Sequence, residues 1–106
     1  MSTKAMIMVV GLPDVALYKH WDGMPKSTLP WLEEFNMEFQ KKRGDDPEYK
    51  FAQLIRSSVF LAEKHGLDKD NSTGWGVLTK NLSGITSINY KYFLQIDGTV
   101  TYLKGN

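Results

Sequence analysis

Residues 87–104 read Ser87-Ile88-Asn89-Tyr90-Lys91-Tyr92-Phe93-Leu94-Gln95-Ile96-Asp97-Gly98-Thr99-Val100-Thr101-Tyr102-Leu103-Lys104. Alternation over 87–97 puts Ile88, Tyr90, Tyr92, Leu94 and Ile96 on one face. It puts Asn89, Lys91, Phe93, Gln95 and Asp97 on the other, the two-residue period of a half-buried strand. Asp97-Gly98 is the strongest short hairpin signal in the chain, because tight primed turns require positive φ. Residues 99–104 form the returning strand, Val100 and Tyr102 alternating against Thr101 and Leu103. The tyrosine face needs a cover, and the middle of the chain supplies it.

Trp31, Leu32, Phe35 and Phe39 recur at helical spacing and make one apolar stripe. Ser27 or Thr28 is the expected cap, and Pro30 fits the first turn. Glu33 and Glu34 sit near the positive end of the helix dipole, Lys41, Lys42 and Arg43 at the negative end, and Gly44 stops the helix. A second helix starts at Asp46 as cap with Pro47 in first position and Glu48 in the first turn. Phe51, Leu54, Ile55, Ser58, Leu61 and Ala62 trace its expected buried side; Lys64 and His65 precede a Gly66-Leu67 stop. The short link makes the two helices close to antiparallel.

Residues 4–11 are continuously apolar after Lys4, which suits a strand buried on both faces. Gly11-Leu12-Pro13-Asp14 is a turn, and residues 15–21 form a second strand pairing antiparallel with the first. There Val15, Leu17, Lys19 and Trp21 share one face, and Ala16, Tyr18 and His20 the other. Residues 75–80 are a short strand between polar loops at 68–74 and 81–86. The order β-β-α-α-β-β-β predicts a single α+β domain over 1–106: a mainly antiparallel five-stranded sheet with two helices on one face.

The chain has 106 residues, one domain's worth, and roughly 65% of its unfolded surface can be buried at this size. Hydrophobic residues are 42% and charged residues 24%, a globular balance rather than a disordered one. There is no cysteine, which excludes disulfides and cysteine-ligated metal. A net charge of +1 provides no global field for nucleic acid or anionic membrane. The first apolar run is cut at once by Pro13 and Asp14, unlike a secretory signal, and no run approaches a membrane span. The expectation is a soluble, cytoplasmic protein, with the sequons at Asn71 and Asn81 arising by chance.

The densest set of functional side chains is Tyr18-Lys19-His20-Trp21-Asp22-Gly23-Met24-Pro25. Lys19, His20, Trp21, Asp22 and Gly23 are the candidate binding residues. His20 with Asp22 is the one pairing suited to acid–base work, a carboxylate fixing an imidazole tautomer, and Lys19 suits an anion. No nucleophile or third group accompanies the pair, so no catalytic residue is assigned. The structural alternative has Trp21 packing at the sheet edge, Asp22 bonding backbone donors, Gly23 supplying an unusual φ, and His20 partnered by a carbonyl or a tyrosine. Strand alternation turns His20 and Trp21 to opposite faces.

This segment resembles the YRHWDGYP signature of small uncharacterised proteins of phages, archaea and bacteria. The run Ser87-Ile88-Asn89-Tyr90-Lys91-Tyr92, closing in Leu94-Gln95-Ile96-Asp97-Gly98, resembles the DIEYxYxI strand of the same proteins. Met24 stands where a tyrosine is usual and Ser87 where an acid is usual. The resemblance implies a fold and a genomic setting, and no activity.

No cofactor and no metal are expected. His20 and His65 are the only imidazoles and have no ligand spacing between them. Asp68-Lys69-Asp70-Asn71-Ser72 fails as a calcium loop, with Thr73 at the glycine position and Thr79 at the bidentate one. Stacking aromatics (Tyr90, Tyr92, Phe93, Tyr102) and the basic run Lys41-Lys42-Arg43 keep a nucleic-acid partner open. The tyrosines, however, share the expected core face. The leading expectation is a non-enzymatic binding protein whose exposed sheet face or edge takes another protein or a second copy of itself. A small-ligand or catalytic site around His20 and Asp22 is the alternative, and a nucleic-acid accessory role the third.

Overall fold

The apolar run near the N-terminus becomes the middle of the sheet. The computed structural model describes residues 3–64, 74–79 and 88–105. Its elements are β1 (Ala5–Val9), β2 (Ala16–Lys19), α1 (Pro25–Lys42), α2 (Pro47–Lys64), β3 (Trp75–Leu78), β4 (Tyr90–Leu94) and β5 (Val100–Lys104). The sheet order is β3-β2-β1-β4-β5. Three of the pairings are antiparallel, and β1 with β4 is parallel, Ala5 facing Tyr90 and Val9 facing Leu94. The fold is α+β in the expected order, and β1 is central because both of its faces are apolar. Ala5, Ile7 and Val9 enter the main core, while Met6 packs with Ala16 and Ile88 on the opposite face.

Both helices lie on the first of those faces. Trp31, Leu32, Phe35 and Phe39 of α1, with Phe51 and Leu54 of α2, are buried with Leu17, Tyr92 and Leu94. Trp31 meets Trp75 edge to face at 5.6 Å and donates its indole N–H to Ser57 Oγ at 3.1 Å. That bond helps set the rotation of α2. Lys50, Phe51, Leu54 and Ser57 point inward. Ile55, expected in the core, is 39% exposed, and Ser58 is only half-buried. The side chains of Leu61 and Ala62, and residues 65–73 and 80–87, lie outside the described residues, and with them the expected Gly66-Leu67 stop, the sequons, the acidic loop and the 81–86 loop.

Several boundaries shift for local reasons. Helix α1 begins at Pro25, which takes the first-turn place expected of Pro30. Met24 is the cap residue and uses no side-chain bond, so Ser27 and Thr28 are inside the helix and Glu33 and Glu34 are beyond its first turn. Strand β2 stops at Lys19, short of Trp21. Strand β4 starts at Tyr90, because Asn89 and Tyr90 both donate to the Lys4 carbonyl, the two-to-one pairing of a β-bulge. The Asn89 side chain accepts from the Lys4 N–H at 2.8 Å and holds the bulge. The bulge breaks the alternation, so Ile88 joins Met6 rather than the tyrosines. At the other end the hairpin closes on Gln95 and Thr99, leaving a three-residue loop, Ile96-Asp97-Gly98, with Gly98 at φ +94°. Ile96 therefore turns out to solvent.

Candidate functional site

The turn after β2 carries the residues singled out in the sequence. Four successive backbone carbonyls there each accept a hydrogen bond. Lys19 Nζ donates to the Trp21 carbonyl, and Thr28 Oγ1 to that of Asp22 at 2.7 Å. Tyr92 Oη donates to the Gly23 carbonyl at 2.5 Å, and the Ser27 and Thr28 N–H groups to that of Met24. The donors come from β2, α1 and β4, so the turn ties three elements together. Burial pushes the Tyr92 hydroxyl far above its usual pKa, with a smaller opposing effect from Thr28. Lys19 is buried on the helix side, its ammonium 5.2 Å from the centre of the Trp75 ring.

Three details differ from expectation. The positive φ belongs to Asp22, at +57°, and not to Gly23. Gly23 is required for closeness: a Cβ there would lie 2.7 Å from the Thr3 carbonyl oxygen and 2.8 Å from the Ala5 Cβ. The N–H of Gly23 donates to that same Thr3 carbonyl at 2.9 Å, which explains the tight approach. Asp22 contributes its backbone carbonyl, and no hydrogen bond of its carboxylate is found among the described residues. His20 and Trp21 are not separated by strand alternation, since β2 has ended. Their rings meet edge to face at 4.6 Å, and Tyr18 Oη lies 2.7 Å from His20 Nδ1. Tyr18, His20 and Trp21 thus form an aromatic chain, and no bond joins His20 to Asp22 among the described residues.

Between α1 and α2 runs a groove of about 440 Å³ with Phe35 and Phe39 at its floor and Lys42, Arg43 and Arg56 at its rim. Arg43 is already engaged: it lies 4.1 Å over the Tyr49 ring and 3.3 Å from the Asp46 carboxylate. On the sheet face away from the helices, Lys91 is exposed and Phe93 half-buried. Tyr90, Tyr92 and Tyr102 form a mutual cluster, with Tyr92 fully buried.

Strand β5 is different in kind. It is an edge strand whose Thr101, Tyr102, Leu103 and Lys104 are all exposed, Tyr102 at 43% and Leu103 at 61%. The Gln95 N–H donates to the Thr99 carbonyl and the Gly105 N–H to that of Asn89. In an antiparallel ladder hydrogen-bonded pairs alternate with non-bonded ones. With Phe93 facing Thr101 and Lys91 facing Leu103, the backbone groups of Thr101 and Leu103 turn towards β4. Those of Val100, Tyr102 and Lys104 turn outwards. No proline or acidic residue lies in the strand, and Lys104 is its only charge. Asp97 stands before it, accepting from both the N–H and Oγ1 of Thr99; these bonds hold its carboxyl below the usual range.

Sequence reasoning missed two contributors. Asn36 is fully buried and donates from Nδ2 to the Gln95 and Thr99 carbonyls, clamping α1 onto the hairpin. Its position four residues after Leu32 and three before Phe39 put it on the apolar stripe, a signal available in the sequence. The outward parity of β5 depends on where the hairpin closes, and Asp97-Gly98 alone does not specify that. Comparison of the chain with protein-family models, with curated proteins and with solved structures returns no match. Among the described residues no helix is long and apolar enough to cross a membrane.

Proposed function

We propose that this chain is a non-enzymatic binding protein that takes a partner strand along the outer edge of β5. The observation that carries the reading is the row of outward backbone groups at Val100, Tyr102 and Lys104, flanked by exposed Tyr102 and Leu103. Unpaired strand edges of this kind gain main-chain hydrogen bonds from an added strand, with side-chain pockets on alternate positions giving selectivity. The turn at Trp21–Met24 supports the fold in this reading, because its carbonyls are taken by internal donors. A ligand or acid–base site around His20 and Asp22 is the weaker reading, since His20 Nδ1 is engaged by Tyr18. A cytoplasmic setting, and kinship with the phage, archaeal and bacterial proteins carrying the YRHWDGYP signature, belong to the same proposal.

The test is selection of displayed random peptides against the chain and against its Lys104→Pro variant, which lacks one outward N–H. Selected peptides are expected to bind the parent only and to slow amide exchange at Val100, Tyr102 and Lys104. Peptides that bind both proteins alike, or that perturb only the face around His20, overturn the edge reading.

A further inference from the structure

We infer that the strand β5 takes is β5 of a second copy, paired antiparallel about a two-fold axis at Tyr102. This rests on the edge reading above and names its partner. The register follows from the outward groups. Centring the axis on Tyr102 sets that residue opposite its own copy and Val100 opposite Lys104, so all three outward residues on each chain meet outward residues. Each such pair exchanges two bonds, giving about six backbone hydrogen bonds across the contact.

The side chains fit the same operation. Val100, Tyr102 and Lys104 face Leu94, Tyr92 and Tyr90 across the ladder and so lie on the helix side. The tyrosine cluster of one copy, with ring centres 5.7–6.3 Å apart, then continues through Tyr102 into the cluster of the other. On the opposite face Thr101 comes alongside Leu103 of the copy, covering part of a side chain that is 61% exposed alone. Exposed Met37 and Ile96 add apolar surface at the same end of the molecule, where Met37 Sδ lies 3.4 Å from the position a Cβ would take on Gly98.

Charge selects the direction. The edge runs from Asp97 at its start to Lys104 at its finish. Antiparallel copies bring the acidic end of each towards the basic end of the other, whereas parallel copies would set like beside like. With a net charge of +1, copies repel little at long range. One strand-to-strand contact buries less than the ~1,200–2,000 Å² of a stable interface, so the dimer is a weak one.

Sedimentation equilibrium tests it. The weight-average mass should climb from the 12.1 kDa monomer towards twice that between about 10 μM and 1 mM. The rise should vanish in both Lys104→Pro and Val100→Pro, with circular dichroism confirming that each is folded, and persist in Lys91→Gln on the open face. A capped synthetic peptide spanning residues 99–105 separates the two ideas. Amide shifts at 100, 102 and 104 on adding peptide to a chain that stays monomeric at 1 mM overturn the second copy but leave strand addition standing. Monomer with no peptide binding overturns both. A dimer that survives Lys104→Pro and Val100→Pro unchanged overturns this interface.

Discussion

The turn at Trp21–Met24 and the strand Val100–Lys104 contrast what side chains look able to do with what their groups are free to do. The turn holds a tryptophan and an aspartate and follows directly on a lysine and a histidine, the residue types of active sites. Yet its carbonyls are all taken by Lys19, Thr28, Tyr92 and the first turn of α1. The strand holds Val-Thr-Tyr-Leu-Lys, with no chemistry to attract notice, and it leaves alternate backbone groups without a partner among the described residues. Residue type proposes a site; the balance of donors and acceptors decides whether anything remains to bind with.

The largest expected effect comes from filling the space at Gly23. Gly23→Ala sets a methyl against the Thr3 carbonyl and the fully buried Ala5 side chain, and should cost about 3 kcal/mol. Urea denaturation reads this directly, and an unchanged midpoint would show that the turn is not the tie described. Next is Tyr92→Phe. It removes the donor to the buried Gly23 carbonyl and should cost about 1–3 kcal/mol. The same variant has a pH signature. Burial keeps the Tyr92 phenol neutral in the folded chain, while in the unfolded chain it ionises near pH 10. Its contribution is therefore complete below about pH 10 and lost as pH rises beyond it. The parent should lose stability more steeply than Tyr92→Phe between pH 10 and 11.5.

The contrast also shows where the sequence was legible. Element order, the central β1, both helices and the tyrosine face followed from periodicity, because each has a continuous apolar signal of its own. Face assignments failed wherever a single polar contact altered the phase. Asn89 shifted Ile88 through the bulge, and Ser57, held by Trp31, rotated Ile55 outwards. The turn failed at the level of backbone angle. Asp-Gly suggested a glycine in the left-handed region, but the aspartate took that conformation because a close neighbour, not a torsion angle, dictated the glycine.

That distinction gives a smaller effect to measure. Asp22→Gly should stabilise by up to about 1 kcal/mol and Asp22→Ala should change little, since aspartate and alanine both place a β-carbon at positive φ and the carboxylate makes no hydrogen bond among the described residues. Equal losses from both would instead assign a role to the carboxylate. The smallest change in stability belongs to the edge. Lys104→Pro removes an outward donor and no described internal bond, so its thermal midpoint should move by less than about 0.5 kcal/mol equivalent while association is lost. A large destabilisation would mean that the strand is already committed within the chain.

The parallel pairing of β1 with β4 has a consequence in time. Lys4 and Asn89 are bonded across 85 positions of sequence, and β1 is flanked on one side only by β2 until β4 arrives. The β1-β2 and β4-β5 pairs can therefore grow locally, as hairpins, but the seam joining them waits for a closure across those 85 positions. Such non-local closures are slow relative to helix and hairpin formation. On a ribosome, β1 emerges before β4 and has no β4 to close on until residues 90–94 follow. During that interval its apolar edge is open, so folding speed and aggregation in this protein should depend on how soon residues 90–94 become available.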